Sequence, residues 1–121
     1  VCSSDLLDAV YDKFLDKLKL YEVKDFVQIH RNKSSEVVNR FDNNSIDILH
    51  IDGNHCEKLS YADAVDYYPK VKTGGYIFFD DINWSENSKD ISTEKGLNYL
   101  LQFCEKVGLF GKDCLLMKKI S

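Results

Sequence analysis

The stretch IDILHIDGNHCEKLSYADAVDYYPKVKTGGYIFFDDI, residues 46–82, decides the fold of this chain. It contains two short apolar runs, ILHI and YIFF, and aspartate follows each run at once: Asp52 after the first, Asp80 and Asp81 after the second. Between the runs, apolar residues recur at helical spacing until Pro69. A strand, a helix and a second strand in this order predict two parallel strands whose carboxyl ends meet at one edge.

The rest of the chain continues this alternation of strands and helices, which predicts an α/β layer fold with a mostly parallel sheet flanked by helices. Strand 46–51 is apolar apart from Asp47 and His50, as expected of a buried parallel strand. The other predicted elements are a helix over 7–21, a strand FVQI at 26–29, a short helix capped by Ser34 or Ser35, a helix through Leu59, Ala62 and Val65, a turn KTGG before strand 76–79, a polar loop at 83–90, a helix with an apolar face from Leu97 to Val107, and a last strand at 114–120.

Composition narrows the class of protein. The 121 residues include 44% hydrophobic residues, enough for one core, and the net charge is −4 with both signs interspersed. We therefore expect no nucleic-acid partner, which would require clustered basic residues, and no membrane partner, because no apolar run approaches the ~20 residues of a bilayer span. The four cysteines form no CxxC pair, which is typical of reduced thiols in a cytoplasmic protein.

The first six residues, VCSSDL, are what DNA resembling the end of a sequencing adapter would encode. We therefore expect residues 1–6 to be an adapter artefact and residues 7–121 to be the C-terminal portion of a single domain. A natural helix cap, Ser-Ser-Asp, is the alternative interpretation.

Three carboxylates at one sheet edge repel each other unless they are protonated, solvated or bridged by a cation. Oxygen ligands favour a hard ion such as Mg²⁺, Mn²⁺ or Ca²⁺. His55, three residues after Asp52, is placed to act as a general base beside that ion.

Ordinary turns explain the same residues without a ligand. An Asp-Gly pair after a strand is a common turn, and Asp80 with Asp81 would serve to cap the following loop. Spacing alone leaves the metal site and the turns both open. His50, inside a predicted strand, is interpreted as a packed histidine.

The ordered elements resemble the C-terminal half of a class I S-adenosylmethionine-dependent methyltransferase, of the type with IDG-x-H followed by GG-x-hydrophobic-DD. The similarity is ungapped over residues 47–82. The further residues in register with that family are Asp63, Pro69, Lys72, Gly74 and Gly75.

The resemblance implies methylation of a hydroxyl on a small molecule or sugar, with S-adenosylmethionine as methyl donor and Mg²⁺ or Mn²⁺ as the assisting ion. By motif position, the implied metal ligands are Asp52, Asp80 and Asp81, the implied base is His55, and the implied cofactor contacts are Ser34, Ser35, Asp52 and Gly53.

The same resemblance implies a partial Rossmann-like fold. The family's strand order is 3-2-1-4-5-7-6, and this chain is similar to it only from the helix before strand three, so the first two strands are missing. We therefore expect the chain alone to bind S-adenosylmethionine weakly and to be inactive. Cys56-Glu57-Lys58 stands where the family has Ser-Tyr-Glu, and Ile82 stands where catechol-type relatives have Asn.

Two other functions stay open. One is a metal-dependent hydrolase that uses Asp52, His55, Asp80 and Asp81 on water; the other is a non-catalytic binding module with this fold. Association into a homo-oligomer is also left open.

Overall fold

The computed structural model of the chain describes residues 4–52, 56–83 and 92–121. These residues belong to two compact units, 1–31 and 32–121. The first unit contains helix α1 (Ser4–Leu20), which confirms the helix predicted at 7–21, and a 3-10 turn at Lys24–Phe26. Within it, the Arg31 guanidinium lies 4.5 Å from the centroid of the Tyr11 ring and is paired with the Asp8 carboxylate.

The strand predicted at FVQI is wrong. Phe26 ends the 3-10 turn and is 87% exposed, and residues 27–29 form no strand. Four apolar residues of β propensity are not sufficient for a strand, because a strand exists only where a neighbour accepts and donates its backbone hydrogen bonds.

The second unit contains the sheet and the helices that pack on it. Its α-helices and strands are α2 (Ser34–Val37), β1 (Ile46–Ile51), α3 (Glu57–Tyr67), β2 (Val71–Phe79), α4 (Glu94–Leu101), β3 (Cys104–Phe110) and β4 (Cys114–Lys119).

The four strands form one sheet in the order β1-β2-β4-β3. This order reproduces the 4-5-7-6 segment of the predicted strand order, so the partial Rossmann-like α/β fold is confirmed. β1 and β2 are parallel, whereas β4 is antiparallel to both β2 and β3. The parallel character predicted for the sheet is therefore limited to β1 and β2 among the described strands.

The predicted last helix was too long. α4 ends at Leu101, and the residues that continued its apolar spacing, Cys104 and Val107, lie in β3 instead. β3 pairs with β4 from Cys104 opposite Lys119 to Phe110 opposite Cys114. The backbone hydrogen bonds that β3 forms with β4 outweigh the weak helical preference suggested by the spacing of these two residues.

β1 was predicted to be buried, but Ile48 is 61% exposed. β1 is the outer strand of the described sheet and pairs with β2 on one side only, so fewer neighbours cover its side chains. The KTGG segment was predicted to be a turn before the strand, but it lies within β2, where the register with β1 is interrupted.

Helices α3 and α4 cover one face of the sheet. Ala64 of α3 and Leu100 of α4 belong to the same buried cluster as Ile77, Phe79 and Met117. The buried positions of α3 are Ser60 and Ala64, whereas the predicted contact Leu59 is 48% exposed. Within the described ranges, no helix has the length and apolar character needed to cross a bilayer.

Candidate functional site

The three predicted metal ligands come together at the carboxyl edge of β1 and β2. Asp52, Asp80 and Asp81 each place a carboxylate oxygen so that these atoms all lie within 4.8 Å of one another. The two strand ends are joined by the backbone, because the Asp80 N–H donates to the Ile51 carbonyl at 3.0 Å.

Neighbouring residues of a strand point to opposite faces, yet Asp80 and Asp81 both reach this cluster. β2 ends at Phe79, and Asp81 adopts a φ of 55°, so the chain has left the extended conformation when it reaches the acidic pair. The Thr93 hydroxyl donates to the Asp81 carbonyl at 2.6 Å and helps to hold this turn. The turn therefore directs two successive carboxylates to one place.

The ligand set is chemically suited to a hard divalent cation. All three side chains offer carboxylate oxygens, the ligands that Mg²⁺, Mn²⁺ and Ca²⁺ prefer. Asp80 and Asp81 are half-buried, whereas Asp52 is exposed, so the cluster is open to solvent on one side. A cation at this place has room for water or substrate oxygens besides the protein ligands.

A cavity of about 290 Å³ lies beside the acidic cluster and contains two of the predicted cofactor residues, Ser34 and Asp52. Leu49 and Ile51 of β1 contribute to its wall, and His50 also lines it. Ser35 is exposed and is not among the lining residues. β1 thus supplies apolar side chains to the wall of the cavity, and Asp52, directly after β1, supplies a carboxylate.

Ser34 does not act as the predicted helix cap. The N-cap of α2 is Lys33, which makes no side-chain cap bond, and the Ser34 hydroxyl donates to the Asp63 carboxylate at 2.5 Å. The Tyr67 hydroxyl donates to the Ser34 carbonyl at 2.6 Å. Burial, followed by the charges of Asp63 and Asp66, raises the pKa of Tyr67, so this phenol stays a donor. α3 thereby fixes the start of α2 at the cavity.

The remaining predicted site residues, His55 and Gly53, lie outside the described residues. Most of the polar loop predicted at 83–90 also lies outside them.

His50 was predicted to be a packed histidine, and this is wrong. Its side chain is 53% exposed, and its Nε2 lies 3.3 Å from Oδ2 of Asp80. The imidazole also meets the Phe78 ring edge-on at 6.1 Å between centroids. The two-residue period of a strand, which places His50 on the same side as the following Asp52, was the signal that would have found it.

Cys114 is a second residue that the sequence did not indicate. Its Sγ lies within 4.8 Å of ligand atoms of both His50 and Asp80. Burial raises the pKa of the Cys114 thiol, and the carboxylates of Asp80, Asp52 and Asp81 raise it further. Cys114 reaches the site because Leu115 pairs with Phe79, which brings the start of β4 beside Asp80. Only the antiparallel register of β4 reveals this neighbour.

The chain is an α/β domain with a partial Rossmann-like sheet, and its acidic residues lie at the carboxyl edge, where open α/β sheets bind ligands. The sequence profile of the methyltransferase domain family matches residues 5–82, more than half of the chain. The chain belongs to this family of methyltransferase domains.

Among solved structures, the chain is similar to a Corynebacterium glutamicum protein whose crystal structure was determined by a structural genomics consortium. The TM-score is 0.54 at 16% identity, over 71% of this chain and 44% of the other, so the likeness concerns the fold. The chain thus spans less than half of that protein. No curated protein matches the chain in sequence.

Proposed function

We propose that this chain is the acceptor-side portion of an S-adenosylmethionine-dependent methyltransferase that methylates a hydroxyl of a small molecule or sugar with the help of Mg²⁺ or Mn²⁺. The observation that carries the proposal is the convergence of Asp52, Asp80 and Asp81 within 4.8 Å at the carboxyl edge. Family membership supports the methyl-transfer chemistry, and the all-oxygen ligand set supports the metal.

In this proposal Asp52, Asp80 and Asp81 hold the cation. When bound, the cation would orient the acceptor oxygens and lower the pKa of the hydroxyl that is to be methylated. Asp80 and Asp81 are half-buried, and the Thr93 hydroxyl donates to the Asp81 carbonyl, which supports the backbone of this acidic pair. Because methyl transfer is a single displacement, holding the acceptor in line accounts for much of the rate.

We assign the cofactor to the side of the site formed by the cavity at β1. Ser34 and Asp52 supply polar groups there, and Leu49 and Ile51 supply apolar surface, the combination typical of small-molecule sites. Ser35 and Gly53 remain predicted contacts from their motif positions. Tyr67 and Asp63 position Ser34 through their hydrogen bonds to it.

We assign the general base to His55, because it follows Asp52 by three residues and its neutral imidazole is suited to accept a hydroxyl proton near pH 7. His55→Gln in a complete relative of the same motif should lower kcat with little change in KM, and the acidic limb of the pH profile should be lost. An unchanged pH profile would remove His55 from this role.

The metal assignment is tested by titrating the chain with Mn²⁺ and following free Mn²⁺ by electron paramagnetic resonance. Asp81→Asn should weaken Mn²⁺ binding by at least about tenfold, since even residues that only support metal ligands cost 10–100-fold when they are changed. Asp47→Asn is the matched control, because Asp47 lies in the same strand pair but next to Lys72. Equal binding by both variants would contradict the metal site.

The cofactor assignment is tested by calorimetry with S-adenosylmethionine. The chain should bind it weakly, because Ser34 and Asp52 are the only predicted cofactor contacts among the described residues that line the cavity. Micromolar binding to the isolated chain would contradict this expectation.

A further inference from the structure

We propose that His50, Asp80 and Cys114 form a second metal site, suited to a thiophilic divalent ion such as Zn²⁺, which adjoins the acidic cluster and shares Asp80 with it. The ligand atoms of these three side chains all lie within 4.8 Å of one another. This inference stands on its own geometry and does not require the proposed methyltransferase activity.

The distance between two of the ligand atoms already matches a metal site. His50 Nε2 and Asp80 Oδ2 are 3.3 Å apart. Two ligands that each bind zinc at about 2.0–2.1 Å in tetrahedral geometry are separated by about 3.3–3.4 Å. A hydrogen bond also explains this one distance, but it gives no role to the Cys114 sulfur, which lies within reach of both partners.

The sheet brings the three residues together from three adjacent strands or strand ends. His50 pairs with Phe78 in the parallel register of β1 and β2, and Asp80 follows two residues later, directly after the end of β2. Leu115 pairs with Phe79 across β2 and β4, so Cys114 lies next to Asp80. Strand pairing therefore fixes the backbones of all three ligands before any ion binds.

The two clusters differ in ligand softness. Asp52, Asp80 and Asp81 offer oxygen alone, whereas His50 and Cys114 add an imidazole nitrogen and a thiolate sulfur. Imidazole and thiolate select Zn²⁺ or Co²⁺ over Mg²⁺ and Mn²⁺. The two oxygens of Asp80 are used differently: Oδ1 accepts from the Asp81 N–H at 2.9 Å, and Oδ2 is the atom next to His50.

Co²⁺ provides the test, because a thiolate ligand gives a sulfur-to-cobalt charge-transfer band in the near ultraviolet. The chain of 121 residues is titrated with Co²⁺ under reducing conditions and should develop this band with one ion per chain. Cys114→Ser should abolish the band. Cys56→Ser is the matched control, since Cys56 is another partly buried cysteine outside any disulfide, and it should keep the band.

His50→Gln tests the nitrogen ligand at an exposed position where folding is not at risk. This substitution should weaken Co²⁺ binding by at least about tenfold, because changing even a group that only supports a metal ligand costs about 10–100-fold in affinity. Circular dichroism of each variant confirms that it is folded. A wild-type chain that binds no Co²⁺ through sulfur, or a band that persists in Cys114→Ser, would overturn the proposal.

The experiments can contradict either of the two proposed metal sites without contradicting the other. Asp81→Asn should lose Mn²⁺ and keep the cobalt–thiolate band, and Cys114→Ser should lose the band and keep Mn²⁺. A chain that shows the band but binds no Mn²⁺ supports the mixed site and contradicts the acidic one, and the opposite result contradicts only the mixed site.

Discussion

The two ends of the parallel pair β1–β2 differ in how their aspartate side chains are partnered. At the amino end, the Asp47 carboxylate accepts from the Lys72 ammonium at 2.8 Å. At the carboxyl end, Asp52, Asp80 and Asp81 turn towards one another within 4.8 Å. The same residue type therefore forms an ordinary surface ion pair at one end and a cluster of like charges at the other.

A second cationic side chain, that of Lys119, lies at the amino end of β2. Lys119 is buried, and its Nζ donates to the Val71 carbonyl at 2.8 Å and to the Tyr68 carbonyl at 3.2 Å. Burial lowers the pKa of Lys119, while the nearby Cys104 opposes this shift. At the amino end, the Asp47 charge is thus paired and the Lys119 ammonium is hydrogen-bonded within the fold, which is typical of a structural role. Like charges held together at the carboxyl end are typical of a place where a ligand completes the arrangement.

Mn²⁺ binding should produce the largest difference in unfolding free energy between variants at the two ends. At a free concentration of 100 times its dissociation constant, Mn²⁺ should stabilise the chain by about 2.7 kcal/mol, because it binds the folded state alone. Asp52→Ala should lose most of this gain, and Asp47→Ala should keep it. Urea unfolding with and without Mn²⁺ gives the values, and an equal gain in both variants would remove the distinction between the ends.

Gly75, which lies in β2 where the register with β1 is interrupted, should not tolerate a side chain. A Cβ on Gly75 would lie 2.9 Å from the carbonyl oxygens of Asp47 and Lys72, so Gly75→Ala should destabilise the chain by about 1–3 kcal/mol, the range of overpacked cores. Gly108→Ala is the control, because a Cβ there meets nothing within 4 Å. Similar unfolding free energies for the two variants in urea would contradict the close approach.

Without divalent ions, the same substitution should change stability in opposite directions at the two ends. Asp52→Asn relieves repulsion and should stabilise the chain by about 0.2–1 kcal/mol. Asp47→Asn removes a surface ion pair and should destabilise it by about 0.2–1 kcal/mol. Melting temperatures in chelator at low salt provide the comparison, and a loss of stability in both variants would mean that the acidic end is compensated within the fold.

The smallest expected effect concerns alkaline pH. Burial raises the pKa of Cys104 above its ordinary value of 9.0, although Lys119 lowers it in part. The folded thiol therefore holds its proton more tightly than the unfolded one, so its contribution is full below about pH 9 and is lost as pH rises through the folded pKa. Cys104→Ala should make the alkaline loss of stability less steep.

Val71→Ala is the control for that experiment, because Val71 is fully buried and carries no titratable group. It should lower stability at every pH and keep the alkaline slope. Urea unfolding at a series of pH values measures both variants, and identical slopes would show that the thiol contributes nothing to the pH dependence.

The sequence by itself determined the parts of the fold that depend on local pattern. The apolar spacing of α1, the run of β1 and the acids after β1 and β2 are all visible in residues next to one another. The parallel pairing of β1 and β2 also followed from the helix between them, and with it the meeting of Asp52 with Asp80 and Asp81.

Only the tertiary structure decided the features that depend on a neighbour distant in sequence. FVQI has the composition of a strand but forms none, and Cys104 continues a helical spacing but lies in β3 because β4 pairs with it. The placement of Cys114 beside His50 and Asp80 follows from the antiparallel register of β4. Local spacing contains no information about which strand supplies the hydrogen bonds on either side, and that choice set the boundary of the sheet and the second group of ligands.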